Sequence, residues 1–151
     1  MFLLFFGAIG CQYDPYATEL TIKEPALKDI FGTYYFEEQT VRNIDGLMAK
    51  KDASINLNAD GTYLMTNIPD LTGKQNMKDI KLISAWGQWE MTTVSGVDNG
   101  WGHVKQAWGI RLTAVTESLS TIGFMGEAPN YKLIITYGDP DAGTVMIFAK
   151  K

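Results

Sequence analysis

The stretch SINLNADGTYLMT, residues 54–66, decides the fold class. Ile55 and Leu57 alternate with Ser54, Asn56 and Asn58. After the NADG turn, Tyr63 and Met65 take up the same two-residue period. Asp60-Gly61 between two alternating runs is a hairpin signal, because glycine tolerates the positive φ such connections demand.

The period of two extends outward from this hairpin. Tyr34 and Phe36 alternate with Thr33, Tyr35 and Glu37. Gly87-Trp89-Met91, Trp108-Ile110-Leu112, Leu133-Ile135-Tyr137 and Val145-Ile147-Ala149 continue it. GDPDAG at 138–143 reads as another turn, with Pro140 between two aspartates. Short strands separated by Gly-, Asp- and Asn-bearing turns predict one all-β domain over 25–151, an antiparallel barrel or a curved sandwich. Ahead of the first strand, Pro25 suits a first helical turn, and Leu27, Ile30 and Phe31 form one apolar stripe that Gly32 ends. Segments 67–80 and 94–106 hold Gly, Asn and Pro and read as loops. Segment 42–51 reads two ways, since Ile44, Leu47 and Met48 have helical spacing and Gly46 weakens a helix.

The N-terminus carries an address. Residues 1–10 have no charge and are too few for a membrane span, which needs about 20 apolar residues, but match the h-region of a signal peptide. The first Lys is Lys23, so a cationic n-region would lie upstream. Ala8-Ile9-Gly10-Cys11 resembles the lipobox of bacterial lipoproteins. That resemblance implies cleavage after Gly10, acylation of Cys11 and anchoring in the lipid bilayer, which two or more chains make stable. Residues 11–24 then read as a tether, and Gln12 after the cysteine points to the outer membrane of a bacterial cell envelope. A lone cysteine excludes an intramolecular disulfide, a CxxC redox pair and a Cys-rich zinc site. A net charge of −4 without a basic run excludes the usual nucleic-acid footprint.

A second resemblance covers about residues 25–149. Gly32-Thr33-Tyr34 after a helical turn looks like the opening Gly-x-Trp strand of lipocalin-like barrels, with Tyr34 at the Trp position. Leu57-Asn58-Ala59-Asp60-Gly61-Thr62-Tyr63 and Gly87-Gln88-Trp89 resemble the hairpin and late strand of small bacterial lipoproteins of that kind. The resemblance implies a closed or nearly closed barrel of about eight strands, the size that either fills with side chains or holds one ligand.

Little of the sequence points to catalysis. His103 is the only histidine, sits in the Gly-rich NGWGH, and has no Gly-x-Ser-x-Gly elbow to serve. Asp139 and Asp141 lack the further ligands of a calcium loop, so they read as a turn, and no metal or cofactor is implied. Glu90 faces away from Trp89, towards solvent, with no second carboxylate placed opposite. The aromatics are more informative, because Trp86, Trp89, Trp101 and Trp108 fall within 23 residues. They either fill the core or line the mouth of a cavity. Trp89, Trp101, Trp108 and Tyr63 are the candidate ligand-binding residues, with Trp101 in a loop. The last two strands, within 131–149, are apolar on both faces, so segment 42–51 or a protein partner must cover one of them. Two functions follow as expectations: binding of a small apolar ligand inside the barrel, or a structural or protein-docking role with the barrel filled. The volume of the interior separates them.

Overall fold

In the computed structural model, residues 15–40, 52–70, 81–98, 103–138 and 144–151 are described. The chain is all-β. A single helical turn, α1 (Leu27–Ile30), precedes eight strands: β1 (Gly32–Gln39), β2 (Ser54–Leu57), β3 (Thr62–Asp70), β4 (Lys81–Asp98), β5 (Val104–Leu112), β6 (Thr121–Met125), β7 (Lys132–Thr136) and β8 (Val145–Lys150). Each strand pairs antiparallel with the next, and β8 pairs back onto β1, closing the sheet into a barrel. Closure removes the unpaired edges that would otherwise invite association. Among the described residues no helix is long and apolar enough to cross a membrane.

The decisive hairpin is β2–β3, with Ile55 opposite Met65 and Leu57 opposite Tyr63. Gly61 adopts φ +83°. Its N–H donates to the Asn58 carbonyl at 3.2 Å, and the Asn58 N–H donates to the Thr62 carbonyl at 2.9 Å. The Asp60 carboxylate accepts from both the Thr62 N–H (2.9 Å) and the Thr62 hydroxyl (2.6 Å), which holds its pKa below the usual carboxylate value.

Two segments expected to be loops are partly strand. β3 runs on through Pro69 to Asp70, and β4 and β5 extend through Val94–Asp98 and Val104–Gln106. The reason is the length of β4. Its first half pairs with β3 and its second half, from Trp89, pairs with β5. Such a strand must bend, and Gly87 stands at the corner. A Cβ there would lie 2.7 Å from the Thr113 hydroxyl and 3.0 Å from the Tyr63 ring. The bulge between Thr93 and Ser95 adds a second change of direction.

The core is one cluster filling the barrel. Inward residues from every strand join it, including Tyr34, Ile55, Met65, Trp89, Ile110, Phe124, Leu133 and Phe148. The helical turn caps one end, through buried Ile30 and half-buried Phe31. Leu27, expected on the same stripe, is exposed, because a four-residue turn presents only one side to the barrel.

Residues 15–22 depart from the expected tether. β5 and β6 pair only over Gly109–Arg111 and Thr121–Gly123, and below that the wall parts. The N-terminal segment fills the gap. The Thr21 N–H donates to the Phe124 carbonyl (2.9 Å), while the Trp108 N–H donates to the Thr21 carbonyl (2.8 Å). The Gly126 N–H donates to the Glu19 carbonyl (2.9 Å), and the Thr21 hydroxyl donates to the Gly126 carbonyl (2.8 Å). Both sides of the parted wall are thus satisfied by three residues of added strand. The same segment answers the two-faced β7 and β8. Leu133, Ile135, Met146 and Phe148 point inward. Met125, Ile134, Val145 and Ile147 form a second, outer cluster against which Tyr16 and Leu20 pack. The described cover is therefore the N-terminal stretch around Tyr16 and Leu20. Segment 42–51, the other candidate, lies outside the described residues.

Candidate functional site

Three of the four candidate ligand residues project into the barrel. Trp89 is 8% exposed and plugs the capped end. Its indole N–H donates to the Asn58 carbonyl at 3.0 Å, its backbone N–H donates to the Gly61 carbonyl at 2.8 Å, and its ring meets Phe31 edge-on with centroids 6.0 Å apart. The turn sequence NADG and the Trp89 strand thus hold each other. Tyr63 is buried opposite Gly87 and extends over that bare backbone to donate its hydroxyl to the Thr113 carbonyl at 2.5 Å. Burial raises its pKa. Trp108, opposite Thr93, is half-buried and packs against the core cluster. Trp101 lies outside the described residues, as does Cys11.

The interior between these aromatics is occupied. Ile30, Tyr34, Ile55, Met65, Ile110, Ile122, Phe124, Ile135 and Phe148 have no surface that a water-sized sphere can touch. A cavity able to hold water or ligand would expose some of that surface. At the capped end the Tyr34 hydroxyl donates to the Ile30 carbonyl at 2.7 Å. At the other end the Tyr137 hydroxyl donates to the Pro69 carbonyl at 2.9 Å. Tyr137 follows β7 and Pro69 lies on β3, four strands apart in a ring of eight, so this bond spans the barrel. Burial pushes both phenols well above their usual pKa, and the Asp70 carboxylate adds to the effect on Tyr137.

Volume is found outside the wall instead. A groove of about 570 Å³ runs over the outer face of β6 and β7, with Leu20, Val94, Thr121, Gly123, Ile134 and Thr136 in its lining. Its floor is flat because Gly109 and Gly123 stand opposite each other. A Cβ on Gly109 would lie 2.2 Å from the Ile122 carbonyl oxygen and 2.6 Å from a Val94 methyl.

Trp86 lies close to the other tryptophans in sequence but apart from them in the structure. Trp86 is 78% exposed, beside Leu64 at 49%, its partner across β3–β4. Positions 86 and 89 are an odd number apart on one strand, so they take opposite faces; that parity was readable from sequence. The outward side chains around Trp86 are Thr62, Thr66, Ser84 and Gln88, with Asn56 and Thr33 further along the row.

Polar groups elsewhere make few clusters. Glu90 is exposed, as expected, and pairs with exposed Arg111 at 3.2 Å. His103 is exposed just ahead of β5. The Asp139–Gly143 turn lies outside the described residues. Among the described residues, no three His, Cys, Asp or Glu side chains come together as a metal site would require. Comparison with protein-family models, curated proteins and solved structures finds no match to this chain.

Proposed function

We propose that this chain is a lipid-anchored, non-catalytic barrel of the bacterial cell envelope, held to the membrane through acylated Cys11, that works through its outer surface. The observation that carries the reading is the filled interior. Core residues from all around the ring have no accessible surface, and the Tyr137–Pro69 bond crosses the space a ligand would occupy. The lipobox-like Ala8-Ile9-Gly10-Cys11 supports the anchor, and the short helix with Gly32-Thr33-Tyr34 and Gly87-Gln88-Trp89 supports kinship with lipocalin-like lipoproteins. The segment from Tyr16 on packs against the barrel, which leaves residues 12–15 between the proposed anchor and the docked chain. At about 3.3 Å per residue, the barrel would ride close to the lipid surface.

The rival reading, carriage of a small apolar ligand inside the barrel, draws on one observation, the half-buried Trp108. Native mass spectrometry of the detergent-extracted full chain, with and without oleate, separates the two. A mass equal to the acylated polypeptide, unchanged by oleate, is the expected result. A stoichiometric adduct that Trp108→Ala abolishes would establish internal binding instead. The same spectrum reads the N-terminus: a free thiol at Cys11, or retained residues 1–10, removes the anchor.

A further inference from the structure

We propose that the outer face of β1–β4, centred on Trp86, binds a neutral, β-linked polysaccharide. The proposal rests on the reading above that the barrel works through its outside.

A bare tryptophan in the middle of a paired sheet is the starting point. Trp86 lies within β4, paired through Leu64 to β3 and from there through Asn56 to β2 and Thr33 to β1. The backbone beneath the ring is fixed by three strand pairings, so the ring is a rigid platform at low entropic cost. Its negative π face attracts the C–H bonds that line the flat side of a pyranose.

Charge argues for the class of ligand. The chain carries 30 Asp, Glu, Lys and Arg side chains, yet the positions immediately around Trp86 (Thr62, Leu64, Thr66, Ser84 and Gln88, with Asn56 and Thr33 along the row) hold none, and the nearest carboxylates, Asp60 and Asp52, are bonded to Thr62 and Asn67. Among the described residues the ion pairs lie at its borders, Glu90 with Arg111 on one side and Glu37 with Lys132 on the other. A lipid surface or nucleic acid would be met by a cluster of Lys and Arg, whereas the positions around Trp86 have none and Lys151 lies over the Tyr35 ring at the β1 edge. A neutral polyhydroxyl chain asks instead for amides and hydroxyls, which this face supplies as Gln88, Ser84, Thr66, Thr62, Asn56 and Thr33.

Part of this array is already oriented. The Thr33 hydroxyl donates to Asn56 Oδ1 (3.1 Å), Asn56 Nδ2 donates to Asn58 Oδ1 (2.8 Å), and Asn58 Nδ2 donates to the Thr62 hydroxyl (3.0 Å). That hydroxyl donates to the Asp60 carboxylate, so every donor points one way. Among the described residues one acceptor, Asn58, takes an Asn56 Nδ2 hydrogen, which leaves the second for a ligand hydroxyl. β-Linked chains extend as ribbons, the shape that can lie across four strands and still reach both Trp86 and the Asn56 row.

The test is affinity electrophoresis of the detergent-solubilised full chain in native gels cast with mixed-linkage β-glucan, with dextran as the α-linked control. Retardation by β-glucan and not by dextran is expected, and salt between about 0.05 and 0.5 M should not alter it, since no charges meet. Trp86→Ala should weaken the apparent affinity about tenfold or more, as loss of a central aromatic anchor does, while Trp86→Tyr should retain most of it. No retardation in β-glucan, equal retardation in dextran, or retardation unchanged in Trp86→Ala would overturn the proposal. So would a dimer in sedimentation velocity that Trp86→Ala dissociates, which would make the face a contact between two copies. These failures are distinct from failure of the filled-barrel reading, which is decided by oleate uptake and leaves Trp86 outside.

Discussion

The barrel has two outer faces of opposite character. Over β6–β8 the outward side chains are Met125, Ile134, Val145 and Ile147, and the chain covers them with its own Tyr16 and Leu20. Over β1–β4 the outward side chains are amides and hydroxyls around Trp86 and Leu64, which stand exposed. The first face behaves as core displaced to the outside. Its apolar area is large enough to order a segment that would otherwise be a free linker. The second face has Trp86 and Leu64 set among polar side chains, too little contiguous apolar area to recruit cover of its own. An apolar outer face is therefore not in itself a docking surface; what marks one is apolar area the chain does not use.

The sharpest test of that distinction lies on β4 itself. Trp89, three residues from Trp86, is used by the fold: it plugs the capped end and its N–H is satisfied by Asn58. Trp89→Ala should cost about 3–5 kcal/mol, the range for removing a buried aromatic. That is a large share of what a small domain has. Urea denaturation with unchanged m-value would measure it. A loss below about 1 kcal/mol would mean that the capped end is not part of the cooperative core.

A smaller loss is expected where the two halves are tied together. Tyr137, beside the covered face, reaches Pro69 on β3 beneath the other. Tyr137→Phe leaves the buried carbonyl without its donor and should cost about 1–3 kcal/mol. The bond also sets an alkaline limit. The folded pKa values of Tyr34 and Tyr137 are raised by burial, so both phenols are held neutral in the fold. Their contribution is fully present below the unfolded value, near 10, and is lost as pH rises from there towards the folded values. The thermal midpoint should be level from about pH 8 to 9.5 and fall above about pH 10. In Tyr137→Phe the fall should be shallower. An identical slope in the variant would show that Tyr34 and other groups carry the effect.

Removing the cover comes next. Leu20 is half-buried against the outer cluster, and Leu20→Ala should cost about 1–2 kcal/mol, less than a fully buried leucine. Hydrogen exchange should show the effect locally, with faster exchange at the Trp108 and Gly126 amides that bond residues 19–21. If those amides keep their protection, the backbone bonds alone hold the segment and the apolar cover is incidental.

How much of this was legible in the sequence depends on the range of the interactions. The Asp60-Gly61 hairpin, the alternating runs and the all-β class were readable because strand period and turn chemistry are local. The ends of β3, β4 and β5 were not, because Asn67, Ser95 and Gly96 have loop-like chemistry and owe their strand geometry to pairing with the next strand, Asn67 through Ser84 and Gly96 through Gln106. Leu20 and Thr21 carry no periodic signal at all, since their strand is completed by β5 and β6 on either side. Among the candidate ligand residues, the inward direction of Trp89, Trp108 and Tyr63 was readable from alternation. Whether they enclose a cavity was not, because filling depends on how side chains from eight strands meet.

The smallest expected effect is the one on which the comparison turns. Trp86→Ala removes as many atoms as Trp89→Ala, from the same strand and within one turn of the sheet's pleat. The Trp86 ring is already 78% in water, so its removal takes little apolar surface out of burial and opens no cavity. It loses the cross-strand contact with Leu64, worth about 0.2–1 kcal/mol. The thermal midpoint should therefore move by no more than a few degrees, and a calorimetric scan of both variants side by side checks it. A loss comparable to that of Trp89→Ala would mean that Trp86 is packed in solution, beneath another part of the chain or another molecule. The outer face of β1–β4 would then be covered like that of β6–β8, and the contrast between the two halves would disappear.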